Sequence, residues 1–181
     1  MERIIKTKLK WLLETNNAVA NEQAGFSIHR STSELIAKLS QFIKDALDNK
    51  RILTAVFIDI KSAYYSAWKE NLLLKLDESG IRSNLLQWLE SFISHRANKV
   101  RYGEHYSKHH ILQTGLPQGA VTSCTLFNLY IKDLTVELNS LPGIISLLYA
   151  DDLVYCTEAD KRKAQEKTQQ ILNKALATLE E

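Results

Sequence analysis

Proline and cysteine are both scarce in this sequence, and long hydrophobic runs are absent. The 181 residues include 2 prolines, 2 cysteines and 6 glycines. Two cysteines are too few for the disulfide framework of a small secreted domain. The longest apolar runs, ILTAVFIDI and GIISLLY, are far shorter than the roughly 20 residues that span a bilayer. We therefore expect an intracellular protein of the nucleus or cytoplasm that is neither secreted nor bound to a membrane.

A large excess of charge of either sign is also missing. The chain has 23 basic and 21 acidic residues, so its formal net charge is only +2. Nucleic-acid binding therefore cannot be inferred from bulk charge and has to follow from the local distribution of charge. With 45% hydrophobic and 24% charged residues, the composition is that of an ordinary globular protein.

The hydrophobic periodicity predicts helices and strands that alternate irregularly. Strands are expected where β-branched and aromatic residues dominate: over 52–60, covered on both faces, in a hairpin over 99–112, and as strand, turn, strand over 144–156. One helix is expected over 33–48, with Ser33 as its cap, and another through WKENLLLKLDES, ending at Gly80. A further helix begins at Ser83, one long helix follows GLPQG, and the last covers 158–180. Without a βαβ rhythm, this order predicts the α+β class.

Three aspartates occupy unusually apolar surroundings. Asp59 ends the strand TAVFIDI, and Asp151 with Asp152 forms YADD between GIISLL and LVYC. A buried carboxylate without a partner raises the free energy of the folded state. Two apolar strands that each carry aspartate therefore favour a divalent cation that the carboxylates share. Mg²⁺ prefers one or two carboxylates plus phosphate oxygens, and paired ions about 3.5–4 Å apart catalyse phosphoryl transfer. The alternative is that Asp59 merely ends a strand and that YADD is a solvated turn.

Three motifs in a fixed order resemble those of the reverse transcriptases of non-LTR, Jockey-type retrotransposons. They are FIDIKSAYYSAW, GLPQGAVTSCTLFNLYIKDL and YADDLV, and NEQAGFSIHRST resembles the earlier fingers motif of the same enzymes. The resemblance covers essentially the whole chain. It implies an α+β right-hand polymerase with an antiparallel palm sheet backed by helices, partial fingers and no thumb. Fingers-like parts are expected at 1–52 and in a hairpin at 95–115, and palm at 53–94 and 116–181.

The resemblance also implies an activity and a metal site. The activity is that of an RNA-directed DNA polymerase, which transfers a nucleotide from a dNTP to a DNA primer on an RNA template, here in a truncated core. Asp59 and Asp151 match the principal ligands of two Mg²⁺ ions, for which Mn²⁺ is a possible substitute. Asp152 is the adjacent acid of the same turn, and the backbone carbonyl of Ile60 would complete the metal shell.

The remaining site residues match substrate contacts of the family. Tyr64 matches the aromatic residue that leaves no room for a ribose 2′-hydroxyl, so that dNTPs are selected. Gln118 and Gly119 match the loop that meets the incoming nucleotide and the template. Arg30 and Lys61 are candidate phosphate contacts, although charges at such places are usually solvated.

Three departures from the family pattern leave alternatives open. Ser27 stands in GFS where the family has GFR, Tyr65 replaces an acid, and Cys124 replaces a proline. A catalytically inactive relic that still binds nucleic acid is one alternative. Another palm-type polymerase, such as an RNA-dependent RNA polymerase, is the other, and Tyr64 at the sugar position speaks against it. The basic stretch RANKVRYGEHYSKHH either contacts template phosphates or forms a solvated hairpin.

Overall fold

The computed structural model describes residues 1–94, 96–160 and 164–180. Its elements in chain order are α1 Glu2–Thr15, α2 Thr32–Asp48, β1 Arg51–Asp59, α3 Ala63–Ser66, α4 Lys69–Glu78, α5 Ser83–Ile93, β2 Arg96–Asn98, β3 Arg101–Tyr102, β4 His105–Tyr106, β5 His110–Leu112, α6 Ser123–Tyr130, α7 Lys132–Ser140, β6 Ile144–Tyr149, β7 Asp152–Asp160 and α8 Ala164–Glu180. The chain divides into two compact units. The first comprises Met1–Ala18 and Ser62–Tyr130, and the second comprises Val19–Lys61 and Ile131–Glu181.

The helices of the first unit pack around α6. Almost the whole of α6 is buried, including Leu126, Phe127 and Leu129. Helices α1 and α4 pack against α6, and α5 packs against α4. The face of α1 that carries Leu9 and Leu13 is fully buried, as expected for an amphipathic helix that covers a core.

The end of α4 confirms the predicted role of its glycine. Gly80 has φ +81°, a conformation that a residue without Cβ adopts at little cost. Its N–H donates to the carbonyl of Asp77 at 2.9 Å, and the Asn16 side chain donates to the carbonyl of Ser79 at 2.8 Å. The carbonyls of Asp77 and Ser79, at the end of α4, thus have hydrogen-bond partners, which stabilises the end of the helix.

The second unit is built on an antiparallel sheet with the strand order β1-β7-β6. Helix α2 packs against β1, α7 against β6 and α8 against β7. The central strand β7 buries Leu153, Tyr155, Cys156 and Ala159. Burial raises the pKa of the Tyr155 hydroxyl and of the Cys156 thiol. The prediction of an α+β chain with antiparallel strands is confirmed.

The prediction that the strand after residue 51 is covered on both faces is wrong. Strand β1 lies at the edge of the described sheet and pairs there with β7. The Phe57 side chain is 69% exposed, and none of the strand's residues is fully buried. A continuous apolar run predicts a strand but does not by itself show that both faces of the strand are covered.

Several predicted helix boundaries also differ. The single long helix after GLPQG is two helices, α6 and α7, interrupted at Ile131. The segment from residue 158 continues β7, since Asp160 pairs with Arg51 in the strand ladder, and residues 161–163 lie outside the described part of the chain. The cap of α2 is Ser31 rather than Ser33, and its hydroxyl accepts from the Glu34 N–H at 3.4 Å.

Within the described ranges, no helix is both long and apolar enough to cross a membrane.

Candidate active site

The predicted acidic residues meet at one end of the sheet in the second unit. In the β1–β7 ladder Asp59 lies directly opposite Asp152. Tyr149 lies opposite Asp152 in the β6–β7 ladder, so Ala150 and Asp151 form the turn that connects these two strands. Ile60 follows Asp59 immediately and has left the strand. The sheet therefore brings together four predicted site positions, at residues 59, 60, 151 and 152.

Two like charges in this register repel one another. Directly opposite residues of an antiparallel pair have Cβ atoms about 4.5–5.5 Å apart, and like charges there are destabilising. Carboxylate and carbonyl oxygens are the donors that Mg²⁺ prefers, usually with several ligands left to water and phosphate. Among the described residues, no group of three or more His, Cys, Asp or Glu side chains forms a cage for a metal ion. The register of the described strands therefore places oxygen donors of the type that Mg²⁺ prefers at one end of the sheet, without enclosing an ion.

The turn that carries Asp151 contains a strained residue. Ala150 has φ +57°, in the left-handed region that side chains with a Cβ rarely occupy. For a residue other than glycine this conformation costs about 1–2 kcal/mol. Ala150 is also buried. A strained and buried residue next to two aspartates shows that the surrounding contacts fix the shape of this turn.

In the first unit, the GLPQG loop is docked on the backbone of the short helix α3. The N–H of Leu116 donates to the carbonyl of Tyr64 at 2.6 Å, and that of Gly115 donates to the carbonyl of Ala67 at 2.8 Å. The hydroxyl of Thr114 donates to the carbonyl of Tyr65 at 3.1 Å. A helix of four residues leaves its carbonyls without intrahelical partners, and the loop supplies donors for them.

Gly115 is the residue that allows this close docking. Its φ is +90°, and a Cβ added to it would lie 2.7 Å from the carbonyl oxygen and 2.8 Å from the Cα of Tyr65. Gly119 in the same loop also has a positive φ, +84°, but a Cβ there would meet nothing within 4 Å. The first glycine is required by conformation and by packing, the second by conformation alone.

The predicted sugar-contacting residue Tyr64 is rigidly held. Its ring stacks on that of Phe127, with centroids 4.6 Å apart and planes inclined by 17°. Phe127 is itself buried in the core of the first unit. Stacking between aromatic rings contributes about 0.5–1.5 kcal/mol beyond the burial of their area, so the Tyr64 ring cannot easily turn aside.

Tyr65, one of the departures from the family pattern, contacts a predicted site residue. Its hydroxyl donates to Oε1 of Gln118 at 2.6 Å. The carbonyl of Pro117, next in the loop, accepts from the Ser123 hydroxyl at 2.8 Å. The side chain of Gln118 is therefore oriented by a partner that the sequence did not indicate.

The predicted phosphate contacts are less organised. The Arg30 guanidinium donates to the carbonyl of Asn21 in its own loop, and Lys61 is exposed directly after Ile60. The Ser27 hydroxyl donates to the carbonyl of Gln23 at 3.2 Å. Ser27 is thus engaged within the loop itself.

Residues 96–112 form two antiparallel strand pairs, β2 with β5 and β3 with β4. Lys99 and Arg101 lie over the ring of Tyr106, at 4.0 and 5.7 Å from its centroid. Tyr102 is 86% exposed. The side chains of this segment include four Lys or Arg residues and one acid, Glu104. It is therefore an exposed basic surface with aromatic rings between the charges, and we call residues 96–112 the basic hairpin.

One buried lysine fixes the base of the basic hairpin. Nζ of Lys69 donates to the carbonyl of Leu112 at 2.6 Å, and the Lys69 side chain is buried. Burial lowers the pKa of Lys69. Helix α4 is thereby bonded to the last residue of β5.

Comparison with solved structures shows which fold this is. The telomerase of Candida albicans, solved with a fragment of telomeric RNA, matches 97% of this chain over 31% of its own, with a TM-score of 0.63 and 16% identity. The telomerase of Candida tropicalis matches 95% of the chain with a TM-score of 0.66 and 14% identity. The fold is therefore shared with these telomerases.

The family model described as reverse transcriptase (RNA-dependent DNA polymerase) matches residues 1–181. The chain belongs to this family. The RNA-directed DNA polymerase from mobile element jockey of Drosophila funebris is 27% identical over 164 residues, which is 88% of this chain and 18% of the relative. The probable RNA-directed DNA polymerase from transposon BS of Drosophila melanogaster is 29% identical and covers 84% of the chain. The chain spans less than a fifth of the length of these non-LTR retrotransposon relatives.

Proposed function

We propose that this chain is the polymerase core of a non-LTR retrotransposon reverse transcriptase and transfers nucleotides from dNTPs to the 3′-hydroxyl of a DNA primer on an RNA template. The observation that carries the proposal is the register of the acidic residues, in which Asp59 faces Asp152 beside Asp151. Membership in the reverse transcriptase family supports it. The polymerase would act inside the cell, in the nucleus or the cytoplasm.

In this proposal the palm comprises residues 53–94 and 116–181, and the fingers-like parts comprise 1–52 and 95–115. The carboxylates of Asp59, Asp151 and Asp152 and the carbonyl of Ile60 would hold two Mg²⁺ ions, or Mn²⁺ in their place. When bound, the metal ions supply activation of the attacking hydroxyl and stabilisation of the leaving group. The oxygen atoms of these residues are donors of the hard type that Mg²⁺ prefers. The register of β1 with β7, which places Asp59 opposite Asp152, also supports this assignment.

The other predicted residues would position the substrate. Tyr64 would pack under the sugar of the incoming nucleotide, and Gln118 and Gly119 would contact that nucleotide and the template. Arg30 and Lys61 would contact phosphate oxygens as cations. Positioning is a large part of catalysis in phosphoryl transfer, because the transition state offers little covalent chemistry to the protein.

Primer extension is the experiment that tests this proposal. The 181-residue chain is incubated with an RNA template, a labelled DNA primer, Mg²⁺ or Mn²⁺, and either dNTPs or NTPs. We expect little or no extension with dNTPs by this chain alone, and any extension should be abolished in Asp151→Asn. Binding of the primer and template without extension would favour the inactive relic, and extension with NTPs at least as fast as with dNTPs would favour an RNA polymerase.

Tyr64→Ala is expected to relax the choice of sugar. Removal of the ring opens space for one additional oxygen, and a pocket discriminates a single extra group of that size by roughly 10- to 200-fold. We therefore expect incorporation of ribonucleotides to approach that of deoxyribonucleotides, as measured by single-nucleotide extension. Tyr64→Phe is the matched control, because it keeps the ring on Phe127 and should keep discrimination. Unchanged dNTP preference in Tyr64→Ala would show that the ring only packs in the core.

We also propose that the basic hairpin binds the phosphates of the template and primer. Combining Arg101→Gln with Lys108→Gln should reduce the dependence of log affinity on log salt by about 0.7–0.9 for each phosphate that the variant no longer neutralises. Fluorescence anisotropy with a labelled RNA–DNA duplex over a salt series measures this slope. The control is Lys8→Gln with Lys44→Gln, which removes two exposed cations from α1 and α2. Equal slopes for both double variants would contradict a role for the hairpin.

A further inference from the structure

A buried glutamine is bonded to the acidic turn. The side chain of Gln23 is 0% exposed. Its Nε2 donates to the carbonyl of Ala150 at 3.0 Å, and its Oε1 accepts from the N–H of Ala150 at 2.9 Å. Oε1 also accepts from the N–H of Gly25 at 2.7 Å. One side-chain amide thus pairs with both backbone groups of the residue that precedes Asp151.

These bonds hold the strained conformation described above. Ala150 has φ +57°, and its N–H and carbonyl have left the ladder between β6 and β7, which ends at the pair Tyr149 and Asp152. A buried backbone group needs a hydrogen-bond partner. Gln23 supplies one for each, so the geometry of the turn depends on a side chain 127 positions away in the sequence.

The backbone around Gln23 is itself attached to β6. Gln23 forms a parallel bridge with Leu148, the N–H of Ala24 donates to the carbonyl of Leu148 at 2.9 Å, and the N–H of Leu148 donates to the carbonyl of Glu22 at 3.2 Å. Gly25 approaches the turn so closely that a Cβ on it would lie 2.4 Å from the Ala150 nitrogen. The glutamine therefore has a fixed base from which to hold the turn.

We infer that Gln23 is a positioning residue for the acidic turn, since it fixes the backbone of Ala150 and thereby the direction from which Asp151 leaves the turn. The inference relies on the proposed function only for the statement that Asp151 is a metal ligand. Groups that orient metal ligands from the outer shell typically change metal affinity by about 10- to 100-fold when they are removed.

Gln23→Met tests the inference because methionine has nearly the same length and forms no comparable hydrogen bonds. Two measurements are made on the full 181-residue chain: amide hydrogen exchange by NMR and Mn²⁺ affinity by electron paramagnetic resonance. We expect exchange at Ala150 and Gly25 to rise at least about 10-fold, with Tyr155 in β7 little changed, and Mn²⁺ affinity to fall by about 10- to 100-fold. The matched control is Gln41→Met, on an exposed glutamine of α2 that bonds to Asp45 at 2.7 Å, and it should change neither quantity.

Ala150→Gly in the Gln23→Met background separates positioning from packing. Glycine adopts a positive φ without strain, so the double variant should regain part of the Mn²⁺ affinity, whereas a defect in packing would not be repaired. If Gln23→Met fails to fold, Gln23→Leu is used, because leucine is uncharged and also forms no hydrogen bond with the turn. It should show changes of the same sign.

Unchanged exchange at Ala150 together with unchanged Mn²⁺ affinity, in whichever of the two variants folds, would overturn the inference. The two measurements also separate this inference from the proposed function. A chain that binds no Mn²⁺ at all would contradict the proposed metal site, while the exchange of the Ala150 amide would still decide whether Gln23 holds the turn.

Discussion

Asp59→Asn and Asp151→Asn are each expected to reduce Mn²⁺ affinity by at least about 100-fold and to abolish any primer extension. Asparagine keeps the size of aspartate but lacks the negative charge that Mg²⁺ or Mn²⁺ requires of its main ligands. Loss of a ligand should exceed the roughly 10- to 100-fold effect of losing an outer-shell partner. Electron paramagnetic resonance with Mn²⁺ measures affinity, and extension on an RNA template measures activity.

Asp59→Asn should make the metal-free chain more stable, although it lowers the affinity for Mn²⁺. Asp59 faces Asp152, so Asp59→Asn removes a repulsion between like charges worth about 0.2–1 kcal/mol and should stabilise the metal-free chain by that amount. Urea unfolding without divalent ions measures this gain. Asp48→Asn, which removes one negative charge from the end of α2, is the control and should leave Mn²⁺ affinity unchanged. Wild-type Mn²⁺ affinity in both site variants would refute the metal site.

Gly115→Ala is expected to lower the free energy of unfolding by about 2–5 kcal/mol. The positive φ contributes about 1–2 kcal/mol for a residue with a Cβ. The overlap of that Cβ with the Tyr65 backbone, at 2.7 and 2.8 Å, adds an amount comparable to overpacking a core, about 1–3 kcal/mol. Because the overlap is with backbone, a change of rotamer cannot relieve it. Urea unfolding of the two chains measures the difference.

Gly119→Ala in the same loop is the matched control. It has nearly the same φ and open space around the added methyl group, so only the conformational cost of about 1–2 kcal/mol applies. Equal destabilisation of the two variants would contradict the close packing of Gly115 against the backbone of Tyr65. A larger destabilisation at Gly119 would contradict the assignment of these two glycines altogether.

The chemistry of the sequence was enough to locate the acidic end of the sheet. Both apolar strands carry aspartate at the same end of the sheet, and the register places Asp59 opposite Asp152. The side chains of Asp59 and Asp152 are exposed to water, however, so the expectation that they are buried was wrong. The α+β class could also be predicted, because short apolar strands and longer amphipathic segments alternate without a βαβ rhythm. The roles of Asp59, Asp151 and Tyr64 stay predictions.

The interactions that hold these residues could not be predicted from periodicity. Gln23 lies in the stretch NEQAGFSIHRST that resembles a family motif, but nothing in that stretch marks the glutamine as buried. Its partner Ala150 gives no sign in the sequence that its φ is positive. Tyr65 looked like a departure from the family pattern, and its bond to Gln118 follows only from the docking of the loop on α3. The exposed face of β1 was missed because a continuous apolar run predicts a strand but does not show that both of its faces are covered.

The position of β1 at the edge of the sheet has a consequence for the behaviour of this chain at high concentration. In the described residues β1 pairs with β7 along one side, and its other side presents backbone donors and acceptors to any extended segment that approaches. The interior of the strand, ILTAVFI, contains no charge and no proline, two features with which natural sheets discourage edge-to-edge pairing. A run of this length and composition matches the segments that stack into cross-β fibrils. Self-association through β1 is therefore an aggregation hazard in the described part of the chain.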